Sequence, residues 1–219
     1  MRPDFPNWLV RRVGLRVGVL FLALLALLLG FAELAEEVRE GEGFDFDEPL
    51  LAWAQTWHGP ALDRFFVVVS ALGYAWGVIP LDIAIPLVLL WLRRLRDAVF
   101  FVLGVGGSAL LNMSAKAFFQ RERPTLWESI APEATFSFPS GHAMGSMAMS
   151  ACLVVLSWRT RWRWPMLLGL GLFVLLVGVS RVYLGVHFPS DVLAGWIVAV
   201  AWVIGVHLLM HVVAPRRAR

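Results

Sequence analysis

Long apolar stretches alternate with short polar junctions along most of this chain, a rhythm set by membrane-crossing helices rather than by soluble ones. A spanning helix needs about 20 mostly apolar residues. Stretches of that kind run from about Val13 to Ala32, from Gly73 to Leu92, and from Ala98 to Phe119. Three more run from after Pro139 to near Trp158, from Pro165 to about Arg181, and from Pro189 to about Val213. Pro80 and Pro86 fall inside the second, where neighbouring helices can satisfy the freed carbonyls. The first stretch exceeds the roughly 7–15 apolar residues of a signal peptide and no A-x-A site follows, so it reads as an uncleaved anchor. The expected fold class is all-α: a polytopic membrane protein of six transmembrane helices in a bundle.

The connection from Glu33 to Phe66 is more than loop. Leu50, Trp53, Ala54 and Trp57 fall at i, i+3, i+4 and i+7, and Leu62, Phe65, Phe66 and Val69 repeat the pattern. Asp47 and Glu48 before Pro49 form a helix start. One or two short amphipathic helices are expected there, the second running into the Gly73–Leu92 span, as an extracytoplasmic cap over residues 33–66. The whole chain, 1–219, then reads as one membrane-embedded domain.

Composition agrees. Of 219 residues, 59% are hydrophobic and only 16% charged, against roughly 25% charged in soluble domains. That excludes a water-soluble globule, a disordered chain, a coiled coil and a disulfide scaffold; Cys152 stands alone. No basic run interleaved with aromatics points to nucleic acid, and nothing implies an obligatory protein partner. The net charge of +3 matters less than its distribution. Thirteen of the nineteen basic residues lie before or near the start of the first span, between spans two and three, between four and five, and after the last. The opposite junctions carry Glu33, Glu36, Glu37, Glu40, Glu42, Asp45, Asp47, Glu48, Asp63, Glu122, Glu128, Glu133 and Asp191. By the positive-inside rule both termini are cytoplasmic and the acidic side faces outward.

Polar residues of another kind gather on that outer side. Lys116 ends the third span, with Arg123 and Pro124 beyond it; Pro139-Ser140-Gly141-His142 opens the fourth. Ser180 and Arg181 close the fifth, and His187 and Asp191 flank the start of the sixth. Lys116, Arg123 and Arg181 suit a multiply charged anion, because the arginine fork matches phosphate oxygens bidentately. Ser140 stands at a helix N-cap, and Gly141 allows close backbone approach, so the first amides of the helix would face the anion. His187 and His142 come from separate segments and could meet a phosphorus from opposite faces. Pro189 starts a helix with Asp191 near its third position, from where the carboxylate reaches back to orient His187. Zinc ligation by the same three residues is the alternative, opposed by the surrounding cations.

These words, Lys116 to Arg123-Pro124, Pro139-Ser140-Gly141-His142, and Ser180-Arg181 through Tyr183 and Gly185 to His187 and Asp191, resemble the three motifs of the type 2 phosphatidic acid phosphatase superfamily. The motif region spans residues 116–191, and six spans resemble its membrane-bound lipid phosphatase branch. The resemblance implies His187 as nucleophile forming a phosphohistidine, Asp191 orienting it, and His142 as general acid that later activates water. It implies phosphate binding by Lys116, Arg123, Ser140, Gly141 and Arg181, with no metal and no cofactor. The implied activity is hydrolysis of a terminal lipid phosphate on the outer face of a bacterial inner membrane. Undecaprenyl diphosphate is the first-named substrate, and phosphatidic acid, phosphatidylglycerol phosphate and lipid A phosphates are alternatives. A phosphotransferase handing the group to another lipid, or a non-catalytic carrier, would use the same residues.

Several polar residues read as structural: Asp82 as a clamp inside the second span, Asn112 as a hydrogen-bond partner one turn inward of Lys116, and His58 as a solvated residue of the cap. His207 and His211 read as interfacial. Met144, Met147 and Met149 read as core, and the small residues Gly141, Gly145, Ser146 and Ser150 as a packing face.

Overall fold

The computed structural model describes residues 7–41 and 43–210, with side chains from Leu15 onward apart from Arg16. The charges read at Arg2, Arg11, Arg12, Arg16, Glu42, Arg216, Arg217 and Arg219, and His211, lie outside the described residues or side chains. Eight helices occur among the described residues: α1 Asn7–Glu40, α2 Asp47–Gln55, α3 Pro60–Leu72, α4 Val78–Trp91, α5 Leu95–Phe119, α6 Gly141–Ser157, α7 Arg163–Tyr183 and α8 Pro189–Leu208. Proline opens α3 and α8, where its fixed φ suits the first helical position and its missing N–H costs nothing.

Four of these helices, α1, α5, α7 and α8, are long and apolar enough to cross a membrane. α4 and α6 are apolar but have 14 and 17 residues. At 1.5 Å per residue they span about 21 and 26 Å, short of a hydrocarbon core of about 30 Å.

Two sequence-based boundaries are corrected. α1 continues through Glu40, so residues 33–40 are not part of a separate cap. No glycine or proline falls between Ala32 and Gly41, whose positive φ of 76° ends the helix. Further on, α3 does not run into the next helix. The chain folds back over residues 73–77, with the Trp76 amide donating to the Ala71 carbonyl and Ile79 to Tyr74, both at 2.9 Å. The α4 helix therefore begins at Val78 rather than Gly73.

Packing centres on α6, which lies against α5, α7 and α8, while α1 packs on α8 and α4 on α5. Phe100, Phe101, Met144, Ala148, Met149, Cys152, Ala199 and Val203 form the principal buried cluster. Close approach comes from small residues: a Cβ on Gly104 would stand 2.4 Å from Cys152 Sγ, and one on Gly107 would stand 2.2 Å from the Trp202 ring. On α2 the buried face is Asp47, Leu51 and Ala54. Trp53 and Trp57 of the expected stripe are exposed, as an edge-to-face pair.

α2 and α3 dock at the end of the bundle that carries the motif residues, against α7 and α8. His58 is part of that docking and is not merely solvated. Its ring stacks on Tyr183 at 4.5 Å, and its Nε2 is 2.8 Å from the Tyr183 carbonyl oxygen. Tyr183 in turn donates its hydroxyl to Asp63 at 2.6 Å. At the other end, Arg94, Arg96, Arg159 and Arg163 line one cleft of about 1220 Å³.

Candidate active site

Three chain junctions meet at one end of the bundle. The first is the segment from Gln120 to Ser140, which leaves α5 through Gln120 in the left-handed conformation and contains no helix before α6. The second is the start of α6. The third is the turn between α7 and α8, made by Gly185 at φ 67°. A side chain there would be strained and would also meet the Trp127 ring at 2.5 Å, which accounts physically for glycine at this position.

That turn delivers His187, which is fully buried. Asp191 is the third residue of α8, and its Oδ2 accepts the Phe188 amide at 2.8 Å and the Ser137 hydroxyl at 2.5 Å. The same oxygen lies 3.5 Å from His187 Nδ1, and Ser137 Oγ lies 3.3 Å from it. On the other edge of the ring, Arg123 Nη1 stands 3.2 Å from Nε2. A guanidinium only donates, so the partners assign the proton to Nδ1 and leave the Nε2 lone pair facing the cations. Burial, and secondarily the Arg181 and Arg123 charges, pull His187 down to about 4 against the opposing pull of Asp191. The imidazole is neutral at pH 7.

Arg181 is 1% exposed, and its guanidinium is held between Ser70 Oγ of α3 and Glu133 Oε1. Arg123 is fixed by the Thr135 and Val186 carbonyls, both at 2.6 Å, and by Glu133 Oε2 at 2.7 Å. Lys116 is aimed differently. Its Nζ donates to Thr135 Oγ1 at 3.2 Å and to the Phe136 carbonyl, so it braces the loop at the rim.

Ser140 occupies the N-cap position of α6, but its hydroxyl makes no capping bond. Among the described residues the buried Oγ has no hydrogen-bond partner, while its backbone N–H donates to the Asp191 carbonyl at 3.0 Å. That backbone bond ties the second and third motifs together. Asn112 of α5 donates to the Pro139 carbonyl at 3.0 Å, and a Cβ on Gly141 would stand 3.2 Å from Asn112 Oδ1. His142 follows, its ring tilted against Tyr74 at 4.7 Å.

One central residue was read from the sequence only as an outer acid. The Glu133 carboxylate bridges Arg123 and Arg181, and its two oxygens lie 3.4 Å from His142 Nδ1 and 3.8 Å from His187 Nε2. Burial pushes this carboxyl upward, but Arg181, the histidines and Arg123 outweigh it and hold it near about 2. The site thus gathers both imidazoles and two arginines around one anionic group. Arg121, Ser137 and Asp47 were missed in the same way; their only sequence signal was proximity to a motif or to a helix start.

Two arginines and two imidazoles around one anionic seat, at the end of an apolar helical bundle, can chemically hold a phosphate. The PAP2 superfamily model matches residues 97–214. Phosphatidylglycerophosphatase B of Bacillus subtilis is 30% identical over 176 residues, covering 78% of this chain and 86% of that protein. An undecaprenyl-diphosphatase of Sulfolobus acidocaldarius is 29% identical over 147 residues, covering 65% and 67%. The crystal structure of a transmembrane PAP2 type phosphatidylglycerolphosphate phosphatase from Bacillus subtilis superimposes with a TM-score of 0.77 at 27% identity, covering 89% of this chain and 98% of that one. Aquifex aeolicus LpxE gives 0.63 at 27% identity, covering 75% and 96%.

The chain belongs to the PAP2 superfamily. It is an integral membrane enzyme, a lipid phosphate phosphatase.

Proposed function

We propose that the enzyme hydrolyses the terminal phosphate of a lipid through a phosphohistidine on His187. The observation that carries this reading is the Glu133 carboxylate, an anion seated between Arg123 and Arg181 and between the two imidazoles. An arriving phosphate would take that seat. Arg123, Arg181, the Ser140 hydroxyl and the amides opening α6 would hold its oxygens, with Gly141 leaving room and Lys116 adding charge from the rim.

His187 Nε2 attacks phosphorus, the P–N bond forms and the P–O bond to the lipid breaks. His142 gives its proton to the departing oxygen. Water then attacks phosphorus, His142 takes its proton, the P–N bond breaks and inorganic phosphate leaves. Asp191 holds His187 in the Nδ1–H tautomer and offsets the charge that develops on the ring.

In this reading the chain is one domain of six crossings with a short helical cap, α4 and α6 being the short ones. The start of α6 then lies below the membrane surface, so the phosphate seat is sunk among helices. Both termini are cytoplasmic and the site opens outward. The basic cleft lined by Arg94, Arg96, Arg159 and Arg163 at the far end supports this orientation. Beside Pro139 a small apolar cleft of about 250 Å³ lies between Phe31, Leu111, Phe118 and Val198, suited to the first carbons of a lipid tail.

Undecaprenyl diphosphate is the first substrate proposed; the names of relatives support both it and phosphatidylglycerol phosphate. The test is phosphate release from purified protein with undecaprenyl diphosphate, phosphatidylglycerol phosphate, phosphatidic acid and lipid A, in EDTA. Turnover of at least one lipid that persists in EDTA and is blocked by vanadate is expected. A wholly EDTA-sensitive rate, or full activity in His187→Ala, overturns the mechanism.

A further inference from the structure

We propose that Arg121 and Asp47, neither of them among the site residues that the three motifs imply, are positioning residues for the phosphatase reaction and hold Asp191 through a largely buried bridge beginning on α2. The inference rests on Asp191 being the carboxylate that orients His187.

Asp191 is fully buried, so each oxygen needs strong partners. One oxygen is occupied by the Phe188 amide and Ser137, on the side of His187. The other accepts Arg121 Nη1 at 2.6 Å. The same Nη1 donates to Ser190 Oγ at 2.8 Å, and the guanidinium lies 4.3 Å from the Phe188 ring centre. Its second nitrogen, Nη2, donates to Asp47 Oδ2 at 2.9 Å. Arginine is therefore a fork with one tine on each carboxylate, a geometry that lysine reproduces only in part.

Asp47 also acts on α8 directly. It is 1% exposed, although it opens a helix whose opposite side is outward-facing. Its Oδ1 accepts the Ser190 amide at 2.9 Å and its Oδ2 the Ser190 hydroxyl at 2.5 Å. Ser190 is the second residue of α8, so its N–H is one that the helix cannot satisfy itself. A residue 143 positions earlier in the chain thus caps the helix whose next residue is Asp191. The bridge fixes both the carboxylate and the first turn that carries it, while touching neither imidazole. Outer partners that orient a metal-ligating side chain are worth roughly 10–100-fold in activity, and a similar scale is expected for partners that hold an orienting carboxylate.

The decisive experiment is a double-mutant cycle on kcat, with Arg121→Met, Asp191→Asn and the pair, all checked for folding by thermal melting in detergent. Arg121→Met is expected to lower kcat about 10–100-fold with KM little changed, and Arg121→Lys to recover part of the loss. In the Asp191→Asn background Arg121→Met should remove little more, because the group it acts through is already disabled. Losses that multiply in the pair, or a drop in melting temperature with kcat intact, overturn the proposal while leaving the Asp191 reading standing. Full activity of Asp191→Asn alone instead overturns that reading, and this one with it. If Arg121→Met does not fold, Asp47→Asn keeps the acceptor for the Ser190 amide but removes the charge, and the same cycle with Asp191→Asn decides by the same outcomes.

Discussion

Nε2 of His187 and Oε2 of Glu133 stand 3.8 Å apart, with Arg123 in contact with both. The nitrogen that would attack phosphorus therefore faces a carboxylate held where a phosphate oxygen would bind. A negative charge at that distance opposes an incoming dianion, so Glu133 must move aside or be outweighed. Neutralising it should make the seat more receptive.

Glu133→Gln is expected to tighten vanadate inhibition about tenfold or more, the scale of one like charge removed at contact distance. It should also lower the melting temperature of the free enzyme, because Arg181 loses a charged partner in a poorly solvated place. Vanadate should restore part of that loss. Unchanged or weaker vanadate inhibition would show that the carboxylate does not occupy the anion seat.

The proton that His142 would donate matters only as far as the leaving group needs it. His142→Ala should slow release from a lipid alkyl phosphate by roughly 10²–10⁴. A soluble aryl phosphate with an acidic phenol leaving group should lose far less. Equal losses on both substrates would assign His142 to binding rather than proton transfer.

Acid should act through His187. Held down to about 4, the ring stays neutral over the range in which a free histidine, near 6.5, becomes charged. Once the titrations of the substrate phosphate and of His142 are divided out, the limb that His187 adds to kcat/KM should be level down to about pH 5 and fall as pH passes about 4. Stability follows the same sign. Below 6.5 the unfolded chain binds a proton that the folded one refuses, so the melting temperature declines as pH drops from 6.5 toward 4. Glu133, held near about 2 from its ordinary 4.5, adds a loss of stability below about pH 4.5. A melting temperature unchanged from pH 6.5 to 4 would contradict this.

Gly195 of α8 packs against the opening of α6, and a Cβ there would stand 2.9 Å from the Ser140 carbonyl oxygen and 3.2 Å from the Met144 amide nitrogen. Neither backbone atom can yield without moving the turn that presents Ser140 and His142. Gly195→Ala is expected to cost about 1–3 kcal/mol of stability from overpacking and to reduce kcat beyond what the melting temperature explains. Gly205→Ala, on the same helix with open space around it, serves as the control and should leave kcat unchanged and stability unchanged or slightly raised.

Much of this arrangement was legible in the sequence for reasons of local physics. Apolar runs located α5, α6, α7 and α8 to within a few residues, since lipid permits only structures that satisfy their own backbone. The proline at 189 fixed the first turn of α8 and with it the reach of Asp191 toward His187. Legibility failed where the cause was distant. Periodicity could not stop α1 at Ala32, because the helix continues until Gly41 allows it to end. Nor could it show that α2 buries Asp47 and Leu51 while Trp53 and Trp57 face outward, since that choice belongs to α7 and α8.

Chain order alone determined that this is a helical membrane protein with two histidines, an aspartate and three cations at helix ends, because hydropathy, proline and short-range spacing are local properties. The folded bundle alone decided which acids enter that cluster. Glu133 reaches Arg181 across 48 positions of sequence, and Asp47 reaches Ser190 across 143. An ion pair is read from distance in space, and only the packing of α2, α6, α7 and α8 converts those separations into contact.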